Sequence, residues 1–197
     1  MKHKISNNQQ KEPNIMGLDM YLKADFYVSG YDEKAKYAAV LKAFDLSPTI
    51  CESTPSLTVS ATVAYWRKAN AIHKWFVDNV QDGVDECQPS DVSRKQLEEL
   101  VRLCKEVVSG SELVPARVQN GTLYTKGKVE RLMEDGFAVK DPTVAMEKLP
   151  TTSGFFFGGI QYDHWYFDDL KSTITQIEAL LNNPKLERAG FTYHASW

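Results

Sequence analysis

Four residues whose side chains can do specific chemistry fall within one short run, AYWRKANAIHKWF from Ala64 to Phe76: Trp66, Arg67, Asn70 and His73. An imidazole can carry a proton, hydrogen-bond at either ring nitrogen or ligate a metal; a carboxamide donates and accepts; an indole stacks; a guanidinium grips phosphate or carboxylate at two points. At about 100° per residue, Tyr65, Trp66, Ala69, Ile72, His73, Phe76, Val77 and Val80 share one arc, while Arg67, Lys68, Lys74 and Asp78 point elsewhere. The spacing predicts a helix over 65–81, with His73 inside the apolar arc and Asn70 on its flank. His73 then has two readings. It is a core imidazole satisfied by a carbonyl or hydroxyl, or it joins Asn70 and Trp66 in the wall of a pocket for a flat, polar ligand. Trp75 projects from the opposite side, covered by the stems of Lys68 and Lys74 or serving as an interface anchor.

A second reactive pair, Asp163 and His164, follows the run Leu149-Pro150-Thr151-Thr152-Ser153-Gly154-Phe155-Phe156-Phe157-Gly158-Gly159. The glycines lack the order of a phosphate-binding P-loop and of a dinucleotide fingerprint. Phenylalanines between glycines predict instead a short central strand near 154–158. Asp163 is placed to cap a helix over 164–181 that buries Tyr166, Leu170, Ile174, Ile177 and Leu181. If the two patches meet, His73 with Asp163 and His164 supplies an acid and a base. The cluster Asp82, Asp85 and Glu86 matches no EF-hand spacing and reads as a solvated turn, so no metal is expected.

The elements that must position these residues follow from periodicity. Leu18, Met20, Leu22, Ala24, Phe26 and Val28 alternate with polar residues and Tyr, predicting a half-buried strand over 18–29. A helix over 33–44 and a Ser/Thr/Pro-rich loop over 46–56 lead to a second alternating strand over 56–64. Ser93 and Gln96 form a capping box before Leu97, Leu100, Val101, Cys104, Val107 and Val108, predicting a helix over 94–108 with Cys104 as a small core hydrophobe. Residues 112–148 lack a clear period; a turn at Asn120-Gly121, a short helix over 129–134 and breaks at Gly136 and Pro142 suggest a lid, an oligomer contact or an insertion. A last strand covers 188–195, and Trp197 tucks against a surface or another subunit. The expected fold class is α+β, a mostly antiparallel sheet with about four packed helices. Residues 1–16 read as a flexible arm, with Met16 a possible translation start, and 17–197 as a single domain.

At 197 residues with 43% hydrophobic and 25% charged, the chain has the composition of one globular domain. The net charge of −3, with its 23 basic residues scattered, argues against duplex nucleic acid or an anionic membrane as a partner. Three cysteines, Cys51, Cys87 and Cys104, have neither disulfide-framework nor zinc spacing and read as reduced thiols. No apolar run approaches a membrane span or signal peptide, which gives a cytoplasmic expectation. No cofactor is expected.

Three motifs, Gly17-Leu18-Asp19-Met20-Tyr21-Leu22, then Ala64-Tyr65-Trp66-Arg67-Lys68-Ala69-Asn70 with His73, Trp75 and Phe76, then Ser153-Gly154-Phe155-Phe156-Phe157-Gly158 with Tyr162-Asp163 and Trp165-Tyr166, carry a resemblance. Together they resemble a family of uncharacterised bacteriophage and bacterial proteins. The resemblance implies no activity, but it implies that residues 112–148 are an insertion and that the cytoplasm concerned is that of a bacterial host. It also implies a non-catalytic phage-type accessory binding protein. The concrete expectation is an oligomeric sponge that sequesters a nucleotide-like host immune signal in pockets built from Trp66, Arg67, Asn70, His73, Asp163 and His164. One alternative is a small hydrolase or transferase using His73 with Asp163 and His164. Another is a protein-interaction module that inhibits a host protein through Trp75 and Trp197.

Overall fold

The computed structural model describes residues 17–46, 55–125, 128–154 and 156–197. The expected arm over 1–16, the alternative start at Met16, residues 47–54 of the Ser/Thr/Pro loop with Cys51, and Phe155 lie outside the described residues. The fold is α+β. Strands β1 (Asp19–Ser29), β2 (Ser56–Arg67), β3 (Ser90–Val92) and β6 (Gly190–Ser196) form an antiparallel sheet in the order β2-β1-β6-β3. Met20, Leu22 and Ala24 of β1 and Phe191, Tyr193 and Ala195 of β6 are buried on one face. Tyr21, Tyr65 and His194 gather on the other, more open one. This is the one-sided burial that alternating sequences dictate in antiparallel sheets.

Three helices cover the buried face: α2 (Asn70–Val80), α3 (Arg94–Gly110) and α5 (His164–Leu181). The start of α3 is set by the capping box expected at Ser93 and Gln96, and that of α5 by Asp163, whose carboxylate accepts from the N–H groups of Trp165 and Tyr166. Cys104 lies in the α3–α5 interface, where burial pushes its thiol up to about 12 and leaves it a hydrophobe rather than a nucleophile. By contrast α1 (Lys34–Ala43), between β1 and β2, buries none of its residues.

Several expectations need correction. The central helix begins at Asn70, not at 65, because Tyr65, Trp66 and Arg67 continue β2 and pair with Tyr21, Met20 and Asp19. Aromatic residues suit a strand as well as a helix, so pairing with β1 decided the boundary. Trp75 is no surface anchor, being only 6% exposed with its ring edge-on to Phe76. A one-sided arc assumes one packing surface, whereas α2 is wedged against α3, α5 and β3. The segment expected as a helix over 129–134 lies within β5 (Lys128–Val139), which pairs with β4 (Leu113–Thr125) in a separate long hairpin. A short α4 (Thr143–Lys148) follows it. The predicted central strand near 154–158 is a loop; its described residues join no sheet ladder, and Phe157 enters the core from it.

Candidate functional site

The three sequence motifs converge. The N–H of Lys68, just past β2, donates to the carbonyl of Leu18 at 2.7 Å, and the N–H of Leu18 donates to the carbonyl of Phe156 at 3.1 Å. Asn70 completes the junction: its Nδ2 donates to the carbonyls of Phe157 (3.1 Å) and Gly159 (2.6 Å), and its Oδ1 accepts from the N–H of Thr152 (3.1 Å). Gly158 sits at φ +87°, where a Cβ would also lie 3.1 Å from the Cβ of Lys68, so only glycine fits both the turn and the close approach. Lys68 itself takes φ 59°, an uncommon conformation for a residue with a Cβ, held by the same contacts. A strand end, a helix start and a glycine-rich loop without a ladder of its own are thus pinned together through Asn70.

This junction is one wall of an open cleft of about 970 Å³. Arg67, Lys68 and Asn70 form that side with Thr151, Gly154, Phe156 and residues 158–161. Trp165, Tyr166, Asp168 and Asp169 of α5 form the second, and Gln119–Thr122, Val129 and Arg131 of the β4–β5 hairpin form the third. The hairpin is seated on the body at its base, where the N–H of Val139 donates to the carbonyl of Tyr162 at 2.8 Å and Ala138 bridges to Asp163. A Cβ at Gly136 would lie 2.7 Å from Val118 and 2.9 Å from the His164 ring, so glycine lets strand and helix start approach. A bulge between Gln119 and Gly121 falls where the hairpin reaches the cleft, and bulges increase local strand twist.

Charge is divided within the cleft, with Arg67, Lys68 and Arg131 against Asp163, Asp168 and Asp169. Burial, with Asp168 and Asp163 nearby, pushes the carboxyl of Asp169 up to about 7. No described residue donates a hydrogen bond to that carboxyl. Burial also raises the Asp163 carboxyl, against the two N–H groups it caps. Among the described residues, no group of three or more His, Cys, Asp or Glu side chains is arranged to hold a metal ion.

Of the six residues assigned to a pocket from the sequence, Arg67, Asn70 and Asp163 line this cleft, while Trp66, His73 and His164 do not. Trp66 is buried, its Nε1–H donating to Thr173 Oγ1 at 2.9 Å. His73 is 1% exposed, between Tyr193 Oη (2.7 Å from Nδ1) and Asp85 Oδ2 (3.0 Å from Nε2). A carboxylate only accepts, so the Nε2–H donates to Asp85, and in a neutral imidazole Nδ1 then accepts from the Tyr193 hydroxyl. Asp85 is therefore no merely solvated turn residue; its other oxygen accepts from Trp197 Nε1 at 3.1 Å. His164 Nδ1 lies 3.3 Å from the Phe137 carbonyl, and no hydrogen bond joins it or Asp163 to His73 among the described residues. Trp197 is 46% exposed, with its ring edge-on to Phe157.

Lys68, Arg131, Trp165, Asp168 and Asp169 also line the cleft but were not assigned to a pocket from the sequence. One signal existed: Asp169 stands three residues from Tyr166, next to Leu170 and four from Thr173, a carboxyl beside the apolar arc of α5. Trp66→Phe tests the separation of core from cleft. It should cost about 1–3 kcal/mol in urea unfolding through the lost bond to Thr173 and a small cavity, while leaving the cleft side chains in place.

Fold and cleft together define a class: an α+β protein whose one-sided antiparallel sheet and three covering helices carry an open, mixed-charge cleft beneath a long β-hairpin. Compared with protein-family models, curated proteins and solved structures, the chain matches none of them.

Proposed function

We propose that the protein is a non-catalytic binding protein that holds a nucleotide-like small molecule in the cleft between the Asn70 junction, α5 and the β4–β5 hairpin. The observation that carries this reading is the convergence of the three motifs on one wall of that cleft, with cations and carboxylates on separate positions around it. The volume of about 970 Å³ is of the size that takes a small molecule. Trp165, 50% exposed on the cleft, offers a face for a base. Arg67, Lys68 and Arg131 suit phosphate oxygens, and Asp168 and Asp169 accept from ribose hydroxyls or an exocyclic amine. A binder is favoured over a hydrolase or transferase by where the imidazoles sit, His73 inside the core between Tyr193 and Asp85 and His164 against the Phe137 carbonyl. The resemblance to bacteriophage and bacterial proteins makes a host signal nucleotide the natural ligand to try.

The test is calorimetric titration of the purified chain with a panel of linear and cyclic nucleotides, followed by denaturation and mass analysis of what is released. One nucleotide should bind and return intact. Arg67→Ala and Arg131→Ala should each weaken it by roughly 10- to 100-fold, the worth of a charge-assisted hydrogen bond. Binding unaffected by either substitution removes the cleft from the reading. A chemically altered ligand replaces the binder with an enzyme.

A further inference from the structure

The two edges of the sheet differ sharply. At one, β3 has three residues, too short to template another strand. At the other, β2 runs for twelve residues, SLTVSATVAYWR, with no proline and no charge before Arg67. Natural edge strands are blunted by charges, prolines or cover. Among the described residues, the outer edge of β2 carries a hydrogen bond at Tyr65, whose N–H donates to Gln176 Oε1 of α5 at 2.9 Å. Ser56, Thr58, Ser60 and Thr62 are exposed, and Leu57 and Val59 are only half-buried.

We propose that this edge is the interface with a second copy of the chain, each β2 pairing antiparallel with the other about a two-fold axis at Val59. The strand is regular from Ser56 to Thr62, because the register against β1 shifts between Leu22 and Lys23 and leaves Val63 as an extra residue. The midpoint of that regular run is Val59. Pairing about it sets Ser56 opposite Thr62, Thr58 opposite Ser60, Leu57 opposite Ala61, and Val59 opposite its own copy. Hydroxyl meets hydroxyl on one face and apolar meets apolar on the other, the matches that stabilise cross-strand pairs. No like charges are brought together. An uncharged strand offers no electrostatic address to a foreign partner but is complementary to itself, which is what a two-fold interface requires. The two four-stranded sheets then become one of eight strands, with the free edges reduced to the two short β3 strands.

The test compares full-length chains by native mass spectrometry and sedimentation at micromolar concentrations. The wild type should be a dimer. Ser56→Glu with Thr62→Glu sets two pairs of carboxylates face to face and should raise the dimer dissociation constant at least about tenfold. Ser56→Lys with Thr62→Glu differs only at residue 56, sets opposite charges together and should restore the dimer. A monomeric wild type, or a double-glutamate variant as dimeric as the wild type, overturns the proposal, and a Lys/Glu variant that stays monomeric overturns the register. Hydrogen exchange on the wild type needs no variant. Amides on the outer edge of 56–62 should lose protection at dilutions where sedimentation shows monomer; protection that persists in that monomer shows an edge covered from within the chain and overturns the proposal.

Discussion

Asn70→Ala should destabilise the protein by roughly 3–5 kcal/mol, because it removes three buried hydrogen bonds and strands the carbonyls of Phe157 and Gly159 and the N–H of Thr152. Asn70 is 4% exposed, so water cannot freely take over those bonds. The cost reaches the cleft. The described residues of the 151–161 loop join no ladder, so without Asn70 they should exchange amide protons faster and any ligand affinity should fall with them. Asn70→Asp keeps the volume but replaces the donor that faces two carbonyl oxygens with an acceptor. It should be at least as damaging, which separates hydrogen bonding from packing. A urea unfolding free energy that changes by less than about 1 kcal/mol for both variants would show that the loop is held by something other than Asn70.

The second large effect is a pH dependence carried by Asp169. In the unfolded chain its carboxyl ionises near 3.8; folded, burial with Asp168 and Asp163 nearby holds the proton until about 7. The folded state therefore binds more protons between these values, and stability falls as pH rises from about 4 to 7, then stays level as far as this group is concerned. The full rise corresponds to about 4 kcal/mol, and the partial solvent access of a half-buried side chain lowers that to roughly 1–2 kcal/mol. Asp169→Asn removes the penalty. The variant should match the wild type near pH 4 and exceed it near pH 8, and equal differences at both pH values would disprove the assignment. The same titration matters for binding, since a neutral Asp169 can donate to a ligand and an ionised one only accepts.

Local regularities in this chain were legible because they are enforced locally. The capping box at Ser93 and Gln96, the N-cap at Asp163 and the 3.6-residue spacing of Leu97, Leu100, Val101, Cys104 and Val107 marked α3 and α5 from neighbours within a turn or two. Alternation did the same for β1 and most of β2. Where local preference was ambiguous the reading failed. The run Val129–Glu134 has no alternating pattern and became a strand through its pairing with β4, and Phe156–Phe157 has strand-like composition but joined no ladder.

The site divides along the same line. From the sequence alone came the α+β class, the starts of α3 and α5, Cys104 as a core residue and three members of the cleft wall, Arg67, Asn70 and Asp163. Each is set by spacing along the chain, which the order of residues records. Only the tertiary structure decided that Trp66, His73 and Trp75 are core, that Asp85 serves His73, and that Arg131 faces the same cleft as Asp169. Those outcomes depend on which surfaces meet around α2 and on where a hairpin some forty residues further along the chain comes to rest. Contacts between segments so far apart are fixed by the shape and burial of the whole fold, and no periodicity within a segment encodes them.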